Sequence, residues 1–431
     1  MSGLAERFGH GQPVKISEFD KSGNPVRTWS QAPGNHGVLK KEARTSLLPS
    51  MHEAFMPVGY PHSVSSDYFN YQFFDSLQAF FSTITSLLAN RALLQGLGVG
   101  DANSSATFAM LLTVLKDAIS RIATILFAHQ FGLRIEPDAK RFRFLADLFN
   151  DTAFFMELYS PYLGPYGKIL ALTTGEALRA LCGVAAGASK AALSVHFAKH
   201  DNLAELNAKE ASQETAVGLV GLAVGTLIVK YVEDHHTVVF LMTTLVFAHL
   251  WMNYLGVSSV CMDNLNRQRA TILFEEFLKT GKVLSPEEVS KRENILIWRP
   301  VVRNQNGEEV ARIEMAGSYG EVSQCHDTII IDGWKNTLFV TPGHPVRIKI
   351  MLHKDSTAIH AISAWFEAMK MAWGMVGNEK TILGKEEQEI TLDKVALWDQ
   401  LRAKGWNLNS QAFETQAAAR LSFEVEHEKD E

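Results

Sequence analysis

Residues 215–229, TAVGLVGLAVGTLIV, carry no charge, and after a polar break from Lys230 to His236 the run Thr237 to Met262 is again free of ionised side chains. A hydrocarbon core of about 30 Å needs about 20 helical residues to cross it. The second run is long enough by itself. The first becomes so when Glu214 and Lys230 at its edges reach to the interface. The pair reads as a transmembrane helical hairpin.

Four further helices precede it, at Phe69 to Leu97, Ser105 to Phe131, Arg141 to Leu158 and Lys168 to Phe197, making six. If all six span, Arg134, Lys140, Arg141, Arg143, Lys199, Lys209, Arg267, Arg269 and Lys279 share one side, and Arg91, Lys168 and Lys230 the other. That asymmetry is the positive-inside pattern and places both termini inside. Gly183 with Gly187 and Gly221 with Gly225 form two GxxxG pairs, the spacing at which helices pack closely in lipid. Gly96 to Asp101 contains a GxGxG, but it follows a helix instead of a strand and reads as a turn between helices.

The 431 residues are 46% apolar with a net charge of −6, so there is room for more than one domain and no bulk basicity for a nucleic-acid partner. Mean hydropathy lies near zero because an apolar middle is averaged with polar ends. Cys182, Cys261 and Cys325 are scattered without a CxxC, so neither a disulfide framework nor a zinc site follows. The N-terminus has no apolar signal core, and Glu6, Glu18 and Asp20 argue against a mitochondrial presequence.

Four segments emerge. Residues 1–50 are polar, with a hairpin expected where Val14 to Phe19 and Pro25 to Trp29 flank Asp20 to Asn24. Residues 51–280 are the helical membrane domain. Residues 281–423 form a small soluble α+β domain: Ser285 caps a helix, Asn306-Gly307 turns a hairpin between Ile295–Arg303 and Glu308–Met315, strands follow at Thr328–Ile331, Thr337–Val340 and Val346–Leu352, and helices at Ser356–Trp373 and Leu392–Lys404. Residues 424–431 are an acidic tail.

Ionisable residues inside spans are costly and turn towards protein or water. Asp75 and Gln78 lie on one stripe of the first helix; Asp117 and Arg121 are four apart on the second and able to pair; Asp147, Asn150 and Asp151 share a face of the third; Glu176 and Arg179 sit on the fourth. Converging, they line a polar pathway; apart, they are ion pairs that fix helix register. The stretch His196 to Thr215 reads as an inner loop, where His196, His200, Lys209, Glu210, Gln213 and Glu214 are a candidate gate or partner site. His196 and His200 have metal-ligand spacing but no third ligand, so no metal is assigned. No GxSxG elbow, P-loop or Rossmann turn occurs, hence no enzyme, catalytic residue or cofactor is assigned.

Pro57-Val58-Gly59-Tyr60-Pro61, Val64-Ser65, Asp67-Tyr68, Tyr71-Gln72, Asp75, Ala146-Asp147-Leu148, His196-Phe197-Ala198, Asn202, Lys209-Glu210, Gln213-Glu214 and Leu265-Asn266-Arg267-Gln268-Arg269 together resemble the root UVB sensitive (RUS) family domain over residues 50–300. The resemblance implies a eukaryotic protein of an organellar (mitochondrion or plastid) or endomembrane bilayer. Plant relatives are tied to ultraviolet-B responses, auxin transport and vitamin B6 homeostasis. It supplies no catalytic residues. The expectation is a polytopic membrane helical bundle with a soluble α+β tail, which moves or senses a small polar metabolite. Its working unit would be a homodimer or a paralogue heterodimer by analogy with twelve-helix transporters. The competing expectation is a non-transporting scaffold whose C-terminal domain recruits partners.

Overall fold

The computed structural model describes residues 14–19, 25–31, 40–41, 54–97, 105–303, 307–324, 327–376, 389–417 and 419–424. The glycine loop at 98–101, the Asp20 to Asn24 turn, Asn306 and the acidic tail from 425 lie outside the described residues. By backbone packing the chain divides into two compact units, Met1–Leu88 with Leu193–Met252, and Ala89–Ala192 with Asn253–Glu431.

The first unit opens with β1 (Val14–Phe19), β2 (Pro25–Gln31) and β3 (Lys40–Lys41) in an antiparallel sheet of that order. The expected hairpin is present, with Val14 opposite Gln31. Six long helices follow along the chain: α1 (Tyr68–Gly96), α2 (Ala106–Ile135), α3 (Ala139–Tyr159), α4 (Pro165–Phe197), α5 (Leu203–Tyr231) and α6 (His235–Ser259). Unit boundaries fall inside α1, α4 and α6. Three of the six, α4, α5 and α6, are long and apolar enough to cross a membrane. The expectation of six spans therefore meets three that qualify by length and composition; Lys116, Asp117 and Arg121 lie within one stretch of α2, and α3 carries seven acidic, basic or amide side chains from Lys140 to Glu157.

Ser105 caps α2 by accepting from Phe108 N at 3.3 Å, satisfying one of the unpaired amides of the first turn. The stretch expected to be an inner loop is largely helical. Its break is confined to Ala198–Asn202, where His200 and Asp201 take positive φ, and Lys209 to Glu214 ride on the first turns of α5. Ala204, Leu206, Ala208 and Ala211 favour helix there, and Leu206 is fully buried.

The two GxxxG pairs differ. A Cβ on Gly221 would lie 3.0 Å from Thr83 Cβ, and one on Gly225 would lie 2.6 Å from Leu87 Cδ1, so α5 packs closely on α1. Nothing lies within 4 Å of the same point on Gly183 or Gly187. That pair seats no described neighbour.

In the second unit α7 (Arg267–Thr280), capped by Asn266 and ended by Gly281 at φ +72°, leads to α8 (Pro286–Ser290). Ser285 and Glu288 form a capping box at the start of α8. The sheet then runs β4 (Val301–Arg303), β5 (Glu309–Met315), β6 (Ile329–Asp332), β7 (Asn336–Thr341) and β8 (Val346–His353), in spatial order β4-β5-β8-β7-β6, with β9 (Arg420–Leu421) also on β8. The β5–β8 pairing is parallel and the rest of the path antiparallel. Between these strands lies α9 (Tyr319–Ser323); α10 (Ala358–Val376) and α11 (Glu389–Ala403) follow β8. The expected strand at Ile295 shrinks to Val301–Arg303, because Pro300 has no amide to give a ladder.

Leu338, Val340, Ile348 and Ile350 face α7 and α10 around a fully buried Trp365, whose Nε1 donates to Thr271 Oγ1 at 3.1 Å. Phe339 and Met351 point the other way, onto Val322 and Leu421. With both faces covered, β7 has lost the apolar–polar alternation of a half-exposed strand.

Candidate functional site

In the first unit the segment before α1 is stitched to the α4–α5 break. Val64 forms an antiparallel bridge with Ala198; Ser65 N donates to Phe197 O at 3.0 Å, and Lys199 N and Asn202 Nδ2 both donate to Ser63 O. Further along α5, Glu205 Oε1 accepts from Val58 N at 2.7 Å, and Lys209 and Gln213 donate to the carbonyls of Ala54 and Phe55. Gly59, at φ +81°, makes the turn this path requires.

Beneath this strap, Asp67 accepts from Ser65 Oγ at 2.5 Å, and its other oxygen lies 3.0 Å from His196 Nε2. Both side chains are nearly buried, at 7% and 8% exposure. Phe197 packs between Tyr68 and Tyr71, with ring centroids 5.6 and 5.0 Å away. Serine bonds the acid and not the histidine, so this is no nucleophile–base–acid relay. Deeper on α1, Gln72, Asp75 and Gln78 are buried, as is Glu210 of α5, and both carboxylates lie within electrostatic reach of Tyr68. The Nε2 of Gln72 and the Oγ of Ser63 have no hydrogen-bond partner. Buried polar atoms of this kind call for a water or a polar ligand. His200, by contrast, is exposed in the turn and does not meet His196. Glu214 lies one turn beyond Glu210 on α5.

The second unit holds separate ionic pairs. Asp147 accepts from Arg143 at 3.2 Å and from Asn253 Nδ2 at 2.5 Å. Asp151 is buried one turn on, and Asn150 is half-buried. Arg179 grips Glu157 through two bonds of 2.8 and 2.6 Å while lying over the Phe154 ring. Glu176 pairs with Lys116 at 3.1 Å. Asp117 and Arg121, expected to pair with each other inside the bundle, are both exposed and form no ion pair among the described residues. Lys116 has the buried position beside them. Glu157 was also missed, although it continues the Asp147, Asn150, Asp151 face at helical spacing.

A third cluster joins the start of α3 to α7, α8 and the turn that follows α8. Glu293 takes Lys140 on one oxygen and Arg269 Nη1 on the other, at 2.9 Å, with all three side chains at 5% exposure or less. Lys140 also donates to Ser290 Oγ, which in turn donates to Val260 O. Asn266 and Arg269 reach Pro137 O, and Asn266 reaches Asp138. Burial pulls the Glu293 carboxyl upward, but Lys140 and Arg269 outweigh it and hold the group below its ordinary range. Asp138 goes the other way: burial lifts it despite Arg267 and Arg269.

A family profile described as "Vitamin B6 photo-protection and homoeostasis domain" matches residues 41–281. The chain is 41% identical over 261 residues to "RUS family member 1" of Dictyostelium discoideum, covering 59% of this chain and 49% of that protein. It is 32% identical over 364 residues to "Protein root UVB sensitive 3" of Arabidopsis thaliana, covering 82% of each. "Protein root UVB sensitive 2, chloroplastic", also from Arabidopsis, is 25% identical over 365 residues, 84% of this chain and 82% of its own. No solved structure matches. The residues that stitch the strap to α5 and those that surround Glu293 lie almost wholly within the matched region, and the chain belongs to the root UVB sensitive family.

Proposed function

We propose that this RUS-family protein is an integral membrane protein that transports or senses a small polar metabolite, with vitamin B6 vitamers as the candidate class. Three apolar helices support membrane insertion, and α1, α2 and α3 would bring the set to six spans. The observation that carries the proposal is the burial of Gln72, Asp75 and Gln78 on α1 and of Glu210 on the span-length apolar α5, with both carboxylates within electrostatic reach of Tyr68. Carboxylates held there suit a polar solute or a coupled proton. The vitamin B6 assignment rests on the family description, and an organellar membrane on the relative named chloroplastic. Complementation of a strain lacking the protein supplies the test. Asp75→Asn and Glu210→Gln should leave protein level unchanged and abolish function; full complementation by both would exclude the pathway.

The Lys140–Glu293–Arg269 cluster favours a second reading, a scaffold in which the membrane helices fix the α+β domain for a partner. In that case activity would depend on Glu293 and not on Asp75.

A further inference from the structure

The helix α2 is held on one side only. Leu112, Lys116, Phe127 and Ile135 are its buried residues; Phe127 and Ile135 pack with Phe142, Ala146 and Ala185, and Lys116 bonds Glu176. The opposite side is bare. Leu111, Val114, Ala118, Arg121, Ile125, Ala128 and Gly132 are all exposed, and they are spaced alternately three and four residues apart. That is the spacing of a helix–helix seam. Val114 is 55% and Ile125 67% exposed, and no atom lies within 4 Å of a Cβ built on Gly132.

Lipid could cover the apolar part of this face, but not its charges. Arg121 sits on the seam and Asp117 at its edge one turn before it, both exposed, with no ion pair among the described residues. Charges facing hydrocarbon are costly and are met instead by protein partners. We infer that this face of α2 is a self-association surface whose occupant is a second copy of the chain. The charge pattern is what selects a copy. An acid and a base one turn apart are self-complementary about a two-fold axis, so Asp117 of each copy meets Arg121 of the other, and Ala118 and Gly132 let the helices approach. The surface rests on the membrane reading for the cost of its charges, and not on any solute.

The test is trans complementation of charge in detergent-purified full chain, with two distinguishable tags. Wild type should self-associate. Asp117→Arg leaves two bases and Arg121→Asp two acids; each alone should self-associate at least about tenfold more weakly, because like charges then face each other. Co-expressed, the two variants should co-purify, which a salt bridge within one helix cannot produce. Recovery of the mixed pair also shows that both variants fold. Ala118→Cys, in a background with Cys182, Cys261 and Cys325 changed to Ala, should give a disulfide-linked dimer on oxidation, whereas Leu112→Cys should not. A monomeric wild type, single variants that self-associate normally, or a wild type that holds a different protein in place of its own copy would each overturn the inference. Release of wild type from membranes by alkaline carbonate would instead count against the membrane reading, and the charge swap would still decide this one.

Discussion

Replacing Glu293 with Gln keeps the shape of the side chain and removes its charge. Lys140 and Arg269 would then be left facing each other, with side chains only 5% and 3% exposed. Breaking a buried pair by removing one partner costs about 3 to 5 kcal/mol, because the uncompensated charge stays out of water. At roughly 2 to 4 °C per kcal/mol for a unit of this size, the melting temperature should fall by about 6 to 20 °C. The control is Lys282→Ala, which breaks an exposed pair with Glu288 and should leave the melting temperature close to that of wild type. The acid dependence carries a sign. Because the folded-state carboxyl titrates below its ordinary 4.5, its contribution is complete above that value and is lost as pH falls through the lower folded value. Wild type should therefore lose stability below about pH 4.5 more steeply than Glu293→Gln. Thermal unfolding of both proteins in detergent, followed by size-exclusion of the surviving fold, gives both quantities. Equal melting temperatures at neutral pH would show that the Glu293 charge does not hold the cluster together, whatever the acid limb does.

Gly225→Leu should lower the melting temperature through a cost of about 1 to 3 kcal/mol or more, because its Cβ alone would meet Leu87 at 2.6 Å; Gly187→Leu, which has open space, should melt like wild type. Arg179→Met should destabilise by about 3 kcal/mol, since Glu157 would stay buried at 2% exposure, and Glu157→Met in the same chain should recover most of the loss in a double-mutant cycle. His196→Ala should free the segment from 54 to 67, read as faster proteolysis there with the rest of the chain intact, because Asp67 loses its buried partner.

Much of the fold was legible because apolar runs and turn residues act locally. The six long helices, the hairpin at Val14 and the main strands of the sheet follow from periodicity and from caps such as Ser285. Less legible was anything decided by distant partners. The strap from Ala54 to Tyr68 looks like loop until its bonds to Phe197, Glu205 and Gln213 are seen, more than a hundred residues away. Helix spacing put Asp117 and Arg121 on one face but could not say which face turns inward, and Lys116 took the buried place. Glu293 gave no sequence signal at all, since its two cations come from the start of α3 and the first turn of α7.

We propose that a buried acidic site among membrane helices handles a small polar metabolite. Purified full-length protein in liposomes, offered labelled vitamin B6 vitamers, tests it most directly when uptake and binding are measured together. Saturable, protein-dependent uptake or binding should appear, and Asp75→Asn should abolish it while retaining the wild-type melting temperature. Equal signals from protein-containing and empty liposomes, with no bound vitamer, would contradict the claim.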